Sequence, residues 1–408
     1  MDMSVSSLRA QFPILSRTVY GKPLVYLDNA ASAQRPLAVA DCWRKLSLEE
    51  NANIHRAVHA LAGQATDAYE GTRDAVKEFL HASAREEIVF TSGATAAVNL
   101  VAFSFGEAFV REGDEILVSV DGHHSNIVPW QMLCERKKAV LKVLDISDNG
   151  GPLVSDLEKC ISERTKIVAI SHISNVLGLV NPVKEIVQIC HKKGVPVLVD
   201  GAQGIVHEPV DVQDLDCDFY VFSGHKLYAA TGTGVLYGKK KWLDAIPPYM
   251  GGGEMIATVR FTGTTYAPLP EKFEAGTQNF NAVPTLVPAM ALVKEMRADA
   301  AVLQEQEAIL DFVYTKLTED ERITLYGTDR SAKVPLFSFG VKGAHHEDLA
   351  LILDKMGIAL RSGQMCAEPL MDRLGVTGLL RASFAPYNTL EEAEYFIKCL
   401  NKAITMLV

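Results

Sequence analysis

Two short apolar stretches of the chain each end on residues that can do chemistry. Val195–Val199 is rich in β-branched residues and runs into Asp200, and Phe219–Phe222 runs into a Ser-Gly-His-Lys sequence that ends at Lys226. Such runs predict strands that are buried on both faces of a parallel sheet. Parallel strands bring their carboxyl ends to one edge, where open α/β sheets bind ligands. We therefore expect the acid and the lysine to lie close together in one site.

The chemistry that this pair can do depends on the lysine amine. A sheltered lysine that can lose its proton is a candidate for a Schiff base with an aldehyde cofactor. An acid beside it could keep the ring nitrogen of a pyridine cofactor protonated. We interpret Lys226 as the lysine that binds pyridoxal 5'-phosphate (PLP), with Asp200 next to the ring.

A Thr-Ser-Gly-Ala-Thr sequence that ends at Thr95 lies between a predicted strand and a predicted helix. Free backbone amides at a helix N-terminus attract anions, and glycine lets a phosphate approach closely. The alternative is that Ser92 or Thr95 only caps the helix. With Lys226 predicted at the same edge, the pattern favours a phosphate site, and Ser223 and His225 are natural further donors.

Two more loops follow strands that are predicted to end at this edge. His123 and His124 come after the strand Glu115–Ser119, and an imidazole there could stack on a planar ring. A His-His pair also occurs in metal sites, but without a nearby third ligand it is weak evidence, and we predict no metal. Asn175 follows the strand that ends at Ser171. It could bind a ring oxygen or a substrate carboxylate, or it could only stabilise a turn.

The last part of the chain contributes a thiol and a cation. Cys366 lies in a glycine-containing loop after a predicted strand, with Arg361 nearby to favour its thiolate. Most free cysteines are buried small hydrophobic residues, which is the alternative for Cys366 and our interpretation of the others. Arg381 is flanked by apolar residues and needs an anionic partner, either a structural carboxylate or that of a substrate.

The elements that must position these residues change in character along the chain. In the larger part, predicted strands alternate with helices, which indicates βαβ units and a mostly parallel sheet. After about Pro288 the sequence predicts a long helix at Ala289–Leu317, short strands and a closing helix. We expect a large domain over residues 20–288 and a smaller α+β domain formed by residues 1–19 and 289–408.

Composition limits the class of protein. The chain has 408 residues and a formal net charge of -10, which argues against nucleic acid or an anionic membrane as its partner. It has no apolar run of the roughly 18 residues that a membrane span needs. Met1–Ala10 lacks the layout of a secretory signal. Seven cysteines without a C-x-x-C pair suggest a reducing compartment, and we expect the cytoplasm.

Short distinctive segments are distributed along the whole chain. They are Tyr26–Ser32, His55–Arg56, His123–His124, Asn126–Trp130, Ser174–Gly178, Val199–Gln203, Phe222–Lys226, Phe273–Thr277 and Arg381–Ser383. In this order they resemble the group II cysteine desulfurases and selenocysteine lyases (SufS/CsdA type). The resemblance extends from about Phe12 to Leu407 and implies the aspartate aminotransferase-like α/β fold of fold type I PLP enzymes.

The resemblance also implies a role for each residue around the cofactor ring. Lys226 would bond to the cofactor and later move a proton between it and the substrate Cα. Asp200 would pair with the ring nitrogen and Gln203 with the ring hydroxyl, while His123 would stack on the ring. PLP is thus the one cofactor we expect.

The phosphate and the partner subunit are linked in the same way. Thr95, Ser223 and His225 would hold the phosphate, and Thr277 would reach it from the other subunit of a homodimer. The segment Gly251–Ala267 resembles a hairpin that distinguishes group II members and reaches toward the partner.

For the substrate, the resemblance implies that Arg381 and Asn175 bind the carboxylate and that His55 lines the pocket. Cys366 would attack the substrate sulfur and carry it away as a persulfide, leaving L-alanine. The expected activity is that of a cysteine desulfurase acting on L-cysteine, with L-selenocysteine as a further candidate substrate. A SufE-like protein would accept the sulfur for iron–sulfur clusters or other sulfur products.

Two alternatives remain open on the sequence. One is a selenocysteine-specific lyase or another fold type I PLP enzyme, such as an aminotransferase or epimerase relative, in which Cys366 has no chemical role. The other is a cofactor-free scaffold that docks sulfur-transfer partners, which the joint presence of Lys226, Asp200 and Cys366 disfavours.

Overall fold

The structure is a computed structural model that describes residues 5–408. Residues 1–4 lie outside the described residues. They belong to the predicted small domain and to Met1–Ala10, the segment that lacks the layout of a secretory signal. No helix among residues 5–408 combines the length and the hydropathy that crossing a membrane requires.

The strands vary from two to seven residues in length. They are β1 (Thr18–Val19), β2 (Lys22–Pro23), β3 (Val25–Tyr26), β4 (Ile88–Thr91), β5 (Glu115–Ser119), β6 (Val140–Leu144), β7 (Thr165–Ser171), β8 (Val197–Asp200), β9 (Phe219–Ser223), β10 (Gly234–Gly238), β11 (Ile256–Arg260), β12 (Gly263–Tyr266), β13 (Ile323–Tyr326), β14 (Leu336–Val341), β15 (Ile358–Ala359), β16 (Arg361–Gly363) and β17 (Leu379–Ser383).

The α-helices are α1 (Val5–Ala10), α2 (Leu37–Leu48), α3 (Ala60–Leu80), α4 (Ala94–Phe109), α5 (Val128–Lys137), α6 (Val154–Cys160), α7 (Val183–Lys192), α8 (Gly204–His207), α9 (Val212–Leu215), α10 (Lys240–Ala245), α11 (Leu286–Ala298), α12 (Ala300–Glu319), α13 (His346–Lys355), α14 (Glu368–Leu374) and α15 (Leu390–Leu407). Short 3-10 helices occur at Pro13–Ser16, Arg85–Glu87, His124–Asn126, Glu271–Phe273, Val283–Thr285 and Arg330–Ala332.

The large sheet has seven strands in the order β4-β10-β9-β8-β7-β5-β6. β9, β8, β7, β5 and β6 pair in parallel, and β10 is antiparallel to both of its neighbours. Every residue of β5, β8 and β9 is buried, as the uninterrupted apolar runs of the sequence predict. The predicted α/β fold with a mostly parallel central sheet is therefore confirmed.

Alternate residues of each strand enter two different cores. Val199 and Tyr220 pack in one core with residues of α3, α7 and α11, whereas Leu198 and Val221 pack in the other with α4 and Trp130 of α5. Since successive side chains of a strand point to opposite faces, the sheet has a layer of helices on each side. This packing fixes the positions at which the strands end, such as Asp200 in β8 and Ser223 in β9.

A second, four-stranded antiparallel sheet has the order β13-β14-β17-β16 and packs against α12, α13 and α15. β3, from the beginning of the chain, pairs in parallel with β15. The division into domains over residues 20–288 and over residues 1–19 with 289–408 stays our proposal.

The single long helix predicted at Ala289–Leu317 is wrong, because the structure has two helices there, α11 and α12. Asp299 separates them with an extended backbone, and its carboxylate accepts hydrogen bonds from the amides of Ala301 and Val302. An aspartate that caps a helix in this way also breaks a continuous helical pattern.

A buried ion pair joins α3 to the segment that carries Thr277. Arg73 Nη1 lies 2.7 Å from Glu274 Oε1, and both side chains are almost fully buried. Glu274 also accepts hydrogen bonds from the Tyr69 hydroxyl at 2.9 Å and the Phe90 amide at 2.7 Å. The pair therefore ties a helix, a strand and a loop together.

We expect Glu274→Ala to destabilise the fold, because it removes the buried carboxylate that faces Arg73 and leaves that charge with the partly exposed Glu70 as its remaining carboxylate partner. Removing one partner of a buried pair costs about 3–5 kcal/mol. A thermal-unfolding scan should show a midpoint lowered by several degrees. Lys184→Ala, which breaks an exposed pair with Asp214, is the control and should cost less than about 1 kcal/mol. Equal midpoints for the two variants would contradict the prediction.

Candidate active site

The carboxyl ends of several parallel strands of the large sheet meet at one edge. β8 ends at Asp200, and β9 ends at Ser223, shortly before Lys226. Ser171, the last residue of β7, lies beside Asp200 in the register. Thr91, the last residue of β4, and Ser223 pair with the same residue of β10. The loops that follow these strands therefore converge.

A cavity of about 170 Å³ lies at this edge. Ten of the predicted site residues line it: Thr95, His123, Asn175, Asp200, Gln203, Ser223, His225, Lys226, Cys366 and Arg381. The cavity thus brings together residues from both sheets.

The ionisation of Lys226 is set by its surroundings. Burial lowers the pKa of Lys226 to about 8, against the attraction of Asp200. Burial raises the pKa of Asp200, against the attraction of Lys226 and the Ala202 amide, which donates to Oδ1 at 3.0 Å. The amine therefore loses its proton more readily than an ordinary lysine. Oδ2 of the carboxylate remains for a cationic group.

The N-terminus of α4 opens toward the same cavity without a side-chain cap. Its N-cap residue is Gly93, not Ser92 or Thr95. The Ala94 amide donates to Ser223 Oγ at 2.8 Å. The amides that follow have no partner within the helix and are available to an anion. The strand-glycine-helix sequence thus leaves backbone amides facing the cavity, and the binding of a phosphate there stays a prediction.

The two histidines of the cavity are neutral. Burial lowers the pKa of His123 to about 3, with Lys226 adding to the effect, and the Ser125 amide donates to His123 Nδ1 at 3.1 Å. Burial lowers the pKa of His225 to about 4, and its Nδ1 lies 3.3 Å from Ser32 Oγ. Neither imidazole therefore adds a positive charge beside the amine.

Gln203 connects the cavity to the first loop of the chain. Its Nε2 donates to the carbonyl of Ala30 at 2.8 Å. This bond fixes the amide plane and leaves Oε1 to accept a hydrogen bond from a hydroxyl group.

Arg381 is almost fully buried, and its guanidinium is only partly satisfied. Its Nη1 donates to the Asn175 carbonyl at 2.8 Å, and its Nη2 lies 3.3 Å from Asp28 Oδ1. Its Nε has no hydrogen-bond partner among residues 5–408. Arg361 lies 3.8 Å from the same aspartate. One carboxylate therefore faces two cations, and the excess positive charge favours an anion in the cavity.

Burial disfavours the charged form of both Arg381 and Asp28. It lowers the pKa of Arg381, against the attraction of Asp28. It raises the pKa of Asp28, against the attraction of Arg381 and Arg361. Because both charges have lost hydration, a carboxylate bound beside Arg381 would replace solvation that the guanidinium lacks.

Cys366 is the exposed cysteine of the chain and lies on the wall of the cavity. The other six, Cys42, Cys134, Cys160, Cys190, Cys217 and Cys399, are buried or half-buried. Burial raises the pKa of Cys134 to about 11 and that of Cys190 to about 12, so these thiols are poor nucleophiles.

Two predicted residues lie outside the cavity in this single chain. His55 Nε2 lies 3.1 Å from Glu70 Oε1, which raises the pKa of the histidine. Thr277 is exposed and lines another cavity of about 260 Å³ with Tyr69 and Tyr249. Their assignments to the substrate pocket and to a partner's phosphate site stay predictions.

Three residues that the structure places at or beside the cavity were not among the predicted site residues. Asp28 balances the two arginines, and its signal was a polar loop directly after β3. Arg361 lines the cavity, although the sequence analysis used it only as a neighbour of Cys366. His124 contacts the Cys366 loop, although only His123 of the pair was given a role.

Comparisons with known proteins match this chain over nearly its full length. The aminotransferase class-V family profile matches residues 25–396. A probable cysteine desulfurase of Vibrio cholerae is 45% identical over 407 residues, covering 100% of both chains. A cysteine desulfurase of Dickeya dadantii is 46% identical over 406 residues, covering 99% of this chain and 97% of that protein.

Among solved structures, the cysteine desulfurase CsdA (S-sulfonic acid) of Escherichia coli superposes with a TM-score of 0.89 at 38% identity, covering 99% of each chain. The family profile spans both sheets, and the likeness extends over the whole chain. The protein therefore belongs to the aminotransferase class-V family of PLP-dependent enzymes.

Proposed function

We propose that the protein is a cysteine desulfurase that converts L-cysteine to L-alanine and takes the sulfur onto Cys366 as a persulfide. The observation that carries the proposal is an exposed thiol on the same small cavity as a buried lysine, an aspartate and an unsatisfied arginine. The names of the relatives support it, since full-length chains at 45% and 46% identity are described as cysteine desulfurases or probable ones.

The residues of the cavity fit PLP. The uncapped start of α4, with Thr95, Ser223 and His225 around it, suits a phosphate. The free oxygen of Asp200 suits a protonated ring nitrogen, and Gln203 Oε1 suits the ring hydroxyl. His123, neutral and on the cavity wall, suits a face of the ring. When bound, PLP supplies a ring that accepts electrons from the substrate Cα.

The substrate is oriented by its carboxylate. We assign Arg381 and Asn175 to that group, because Arg381 is buried and has a donor to spare. Asn175 Nδ2 donates a hydrogen bond to the Met365 carbonyl at 2.8 Å. Asn175 therefore also connects the carboxylate site to the loop that carries Cys366. His55 would complete the pocket in the assembled protein.

Lys226 and Cys366 divide the chemical work. The Lys226 amine, with its lowered pKa, moves a proton to and from the substrate Cα. The Cys366 thiolate attacks the substrate sulfur, so that an S–S bond forms while the Cβ–S bond breaks. The electron pair of the broken bond stays with the carbon fragment, which takes up protons and leaves as alanine. L-Cysteine and one thiol thus give alanine and one persulfide.

Mass spectrometry after incubation with L-cysteine tests the proposal. The peptide that holds Cys366 should gain one sulfur, and alanine should form in equal amount. The peptide that holds Cys399 serves as the internal control and should not change. Formation of alanine from L-selenocysteine without persulfide from L-cysteine would instead indicate a selenocysteine-specific lyase. If neither alanine nor persulfide forms, both activities are refuted.

We expect Arg381→Lys to raise the KM for L-cysteine by about 10- to 100-fold, with a smaller change in kcat. Lysine keeps the charge but loses the planar donor pair, and a charge-assisted hydrogen bond is worth about 1.5–3 kcal/mol. Steady-state kinetics of alanine formation measures the effect. Arg373→Lys, in a surface pair with Asp145, is the control. An unchanged KM in the Arg381 variant would remove Arg381 from the substrate site.

We also propose a homodimer, in which the exposed hairpin of β11 and β12 and the exposed Thr277 face the partner. We further propose L-selenocysteine as a second substrate and a SufE-like protein as the sulfur acceptor.

We also propose a cytoplasmic location, which the seven free cysteines support.

A further inference from the structure

His124 contacts the Cys366 loop through both its backbone and its side chain. Its amide donates to the Cys366 carbonyl at 2.7 Å. Its Nε2 accepts a hydrogen bond from the Glu368 amide at 2.9 Å. These residues are more than 240 positions apart in the chain, so His124 links the large sheet to the start of α14.

The loop that His124 contacts has an unfavourable backbone. Met365 and Cys366 have φ values of 51° and 56°, in the left-handed region, although neither is glycine. Each such residue costs about 1–2 kcal/mol and persists only where surrounding contacts hold it. The thiol therefore depends on those contacts for its place on the cavity wall.

Contacts hold both sides of the loop, while Cys366 between them is exposed. Met365 and Ala367 are buried in a cluster with Leu370 and Met371 of α14. Asn175 holds the Met365 carbonyl from the cavity side. Ala367, the N-cap residue of α14, makes no side-chain cap hydrogen bond, and the Glu368 amide in the first turn donates to His124 instead. His124 and Asn175 are thus the polar anchors of a turn that leaves Cys366 exposed.

We propose that His124 is a positioning residue, which holds the Cys366 turn so that the thiolate faces the substrate sulfur. The inference rests on the proposed function. Nε2 of His124 must be the ring nitrogen that accepts, because the group facing it is a backbone N–H. A glutamine can place an acceptor oxygen at a similar reach, whereas a leucine of similar bulk cannot. A misplacement of about 1 Å is enough to cost about 100-fold in rate.

The test compares His124→Leu with His124→Gln in the PLP-loaded protein by two reactions. Formation of persulfide on Cys366 from L-cysteine needs the thiol. Exchange of the Cα proton of L-alanine in D₂O, followed by NMR, needs Lys226 and Arg381 but not the thiol. We expect the leucine variant to form persulfide at least about 10-fold more slowly with exchange within about twofold of wild type. The glutamine variant should recover most of the persulfide rate.

Hydrogen–deuterium exchange gives a readout that is independent of activity. The peptide that contains the Glu368 amide should lose protection in the leucine variant and keep it in the glutamine variant, with the peptides of β8 and β9 unchanged. His345→Leu is the matched control, since His345 Nδ1 accepts from the Glu347 amide at the start of α13, away from the cavity. It should leave both reactions unaffected.

Each other result overturns the inference. Equal losses in both reactions would show a general structural defect, and an unchanged persulfide rate in the leucine variant would show that the loop needs no such anchor. A wild-type protein that exchanges the alanine proton but forms no persulfide would refute the proposed function itself, and the role of His124 with it.

Discussion

Lys226→Ala should abolish alanine formation from L-cysteine, with a loss of at least about 1,000-fold. The variant lacks the amine that bonds to PLP and moves the Cα proton, and general acid–base catalysis alone contributes about 10²- to 10⁴-fold. PLP bound to a lysine absorbs at about 420 nm, and this absorption band should also be lost. Spectra of the purified variant and a sensitive assay for alanine measure both effects.

A second lysine provides the control for this prediction. Burial lowers the pKa of Lys333 to about 7, so its amine is also easily deprotonated. Its Nζ is held by the Leu177 carbonyl at 2.5 Å, and it does not line the cavity of Asp200 and Lys226. Borohydride should therefore trap PLP on the peptide of Lys226 and not on that of Lys333. PLP trapped on the Lys333 peptide instead would show that the cofactor binds at Lys333 and not at Lys226.

Cys366→Ala should separate binding of the cofactor from transfer of sulfur. We expect alanine formation from L-cysteine to fall by at least about 100-fold, because the sulfur then has no nucleophile to receive it. The PLP absorption and the Cα-proton exchange of L-alanine should remain, since the thiol takes no part in either. Kinetics with L-cysteine and NMR in D₂O give the two measurements on one sample.

Cys42→Ala is the matched control, since Cys42 is half-buried and burial raises the pKa of its thiol. Its turnover should match that of wild type. Full alanine formation in the Cys366 variant would contradict the desulfurase proposal and favour a PLP enzyme in which the thiol has no role.

The sequence predicts the core of the site well, because strand ends in a parallel sheet are strongly constrained. β8 and β9 are continuous apolar runs that must be buried on both faces, so Asp200 and Lys226 follow at one edge with little freedom. The glycine before α4 likewise predicts an uncapped helix start. These inferences depend on local patterns of five to ten residues.

The parts that the sequence did not predict depend on tertiary contacts. The pair of Asp28 and Arg381 forms across more than 350 positions of the chain, and no local pattern encodes it. The left-handed turn at Met365 and Cys366 contradicts local preference and exists because distant groups hold it. Asp299 breaks a helix that apolar periodicity alone extends through it.

The pairing of β3 with β15 imposes an order on biosynthesis. Val25 and Tyr26 are synthesised more than 300 residues before their partners Ile358 and Ala359. Until then the early segment has no strand beside it, and Asp28 lacks the arginines that neutralise it. A nascent chain can therefore assemble the large sheet before residues 323–383 have been made, but the thiol-bearing half of the catalytic centre forms only after those residues have been added.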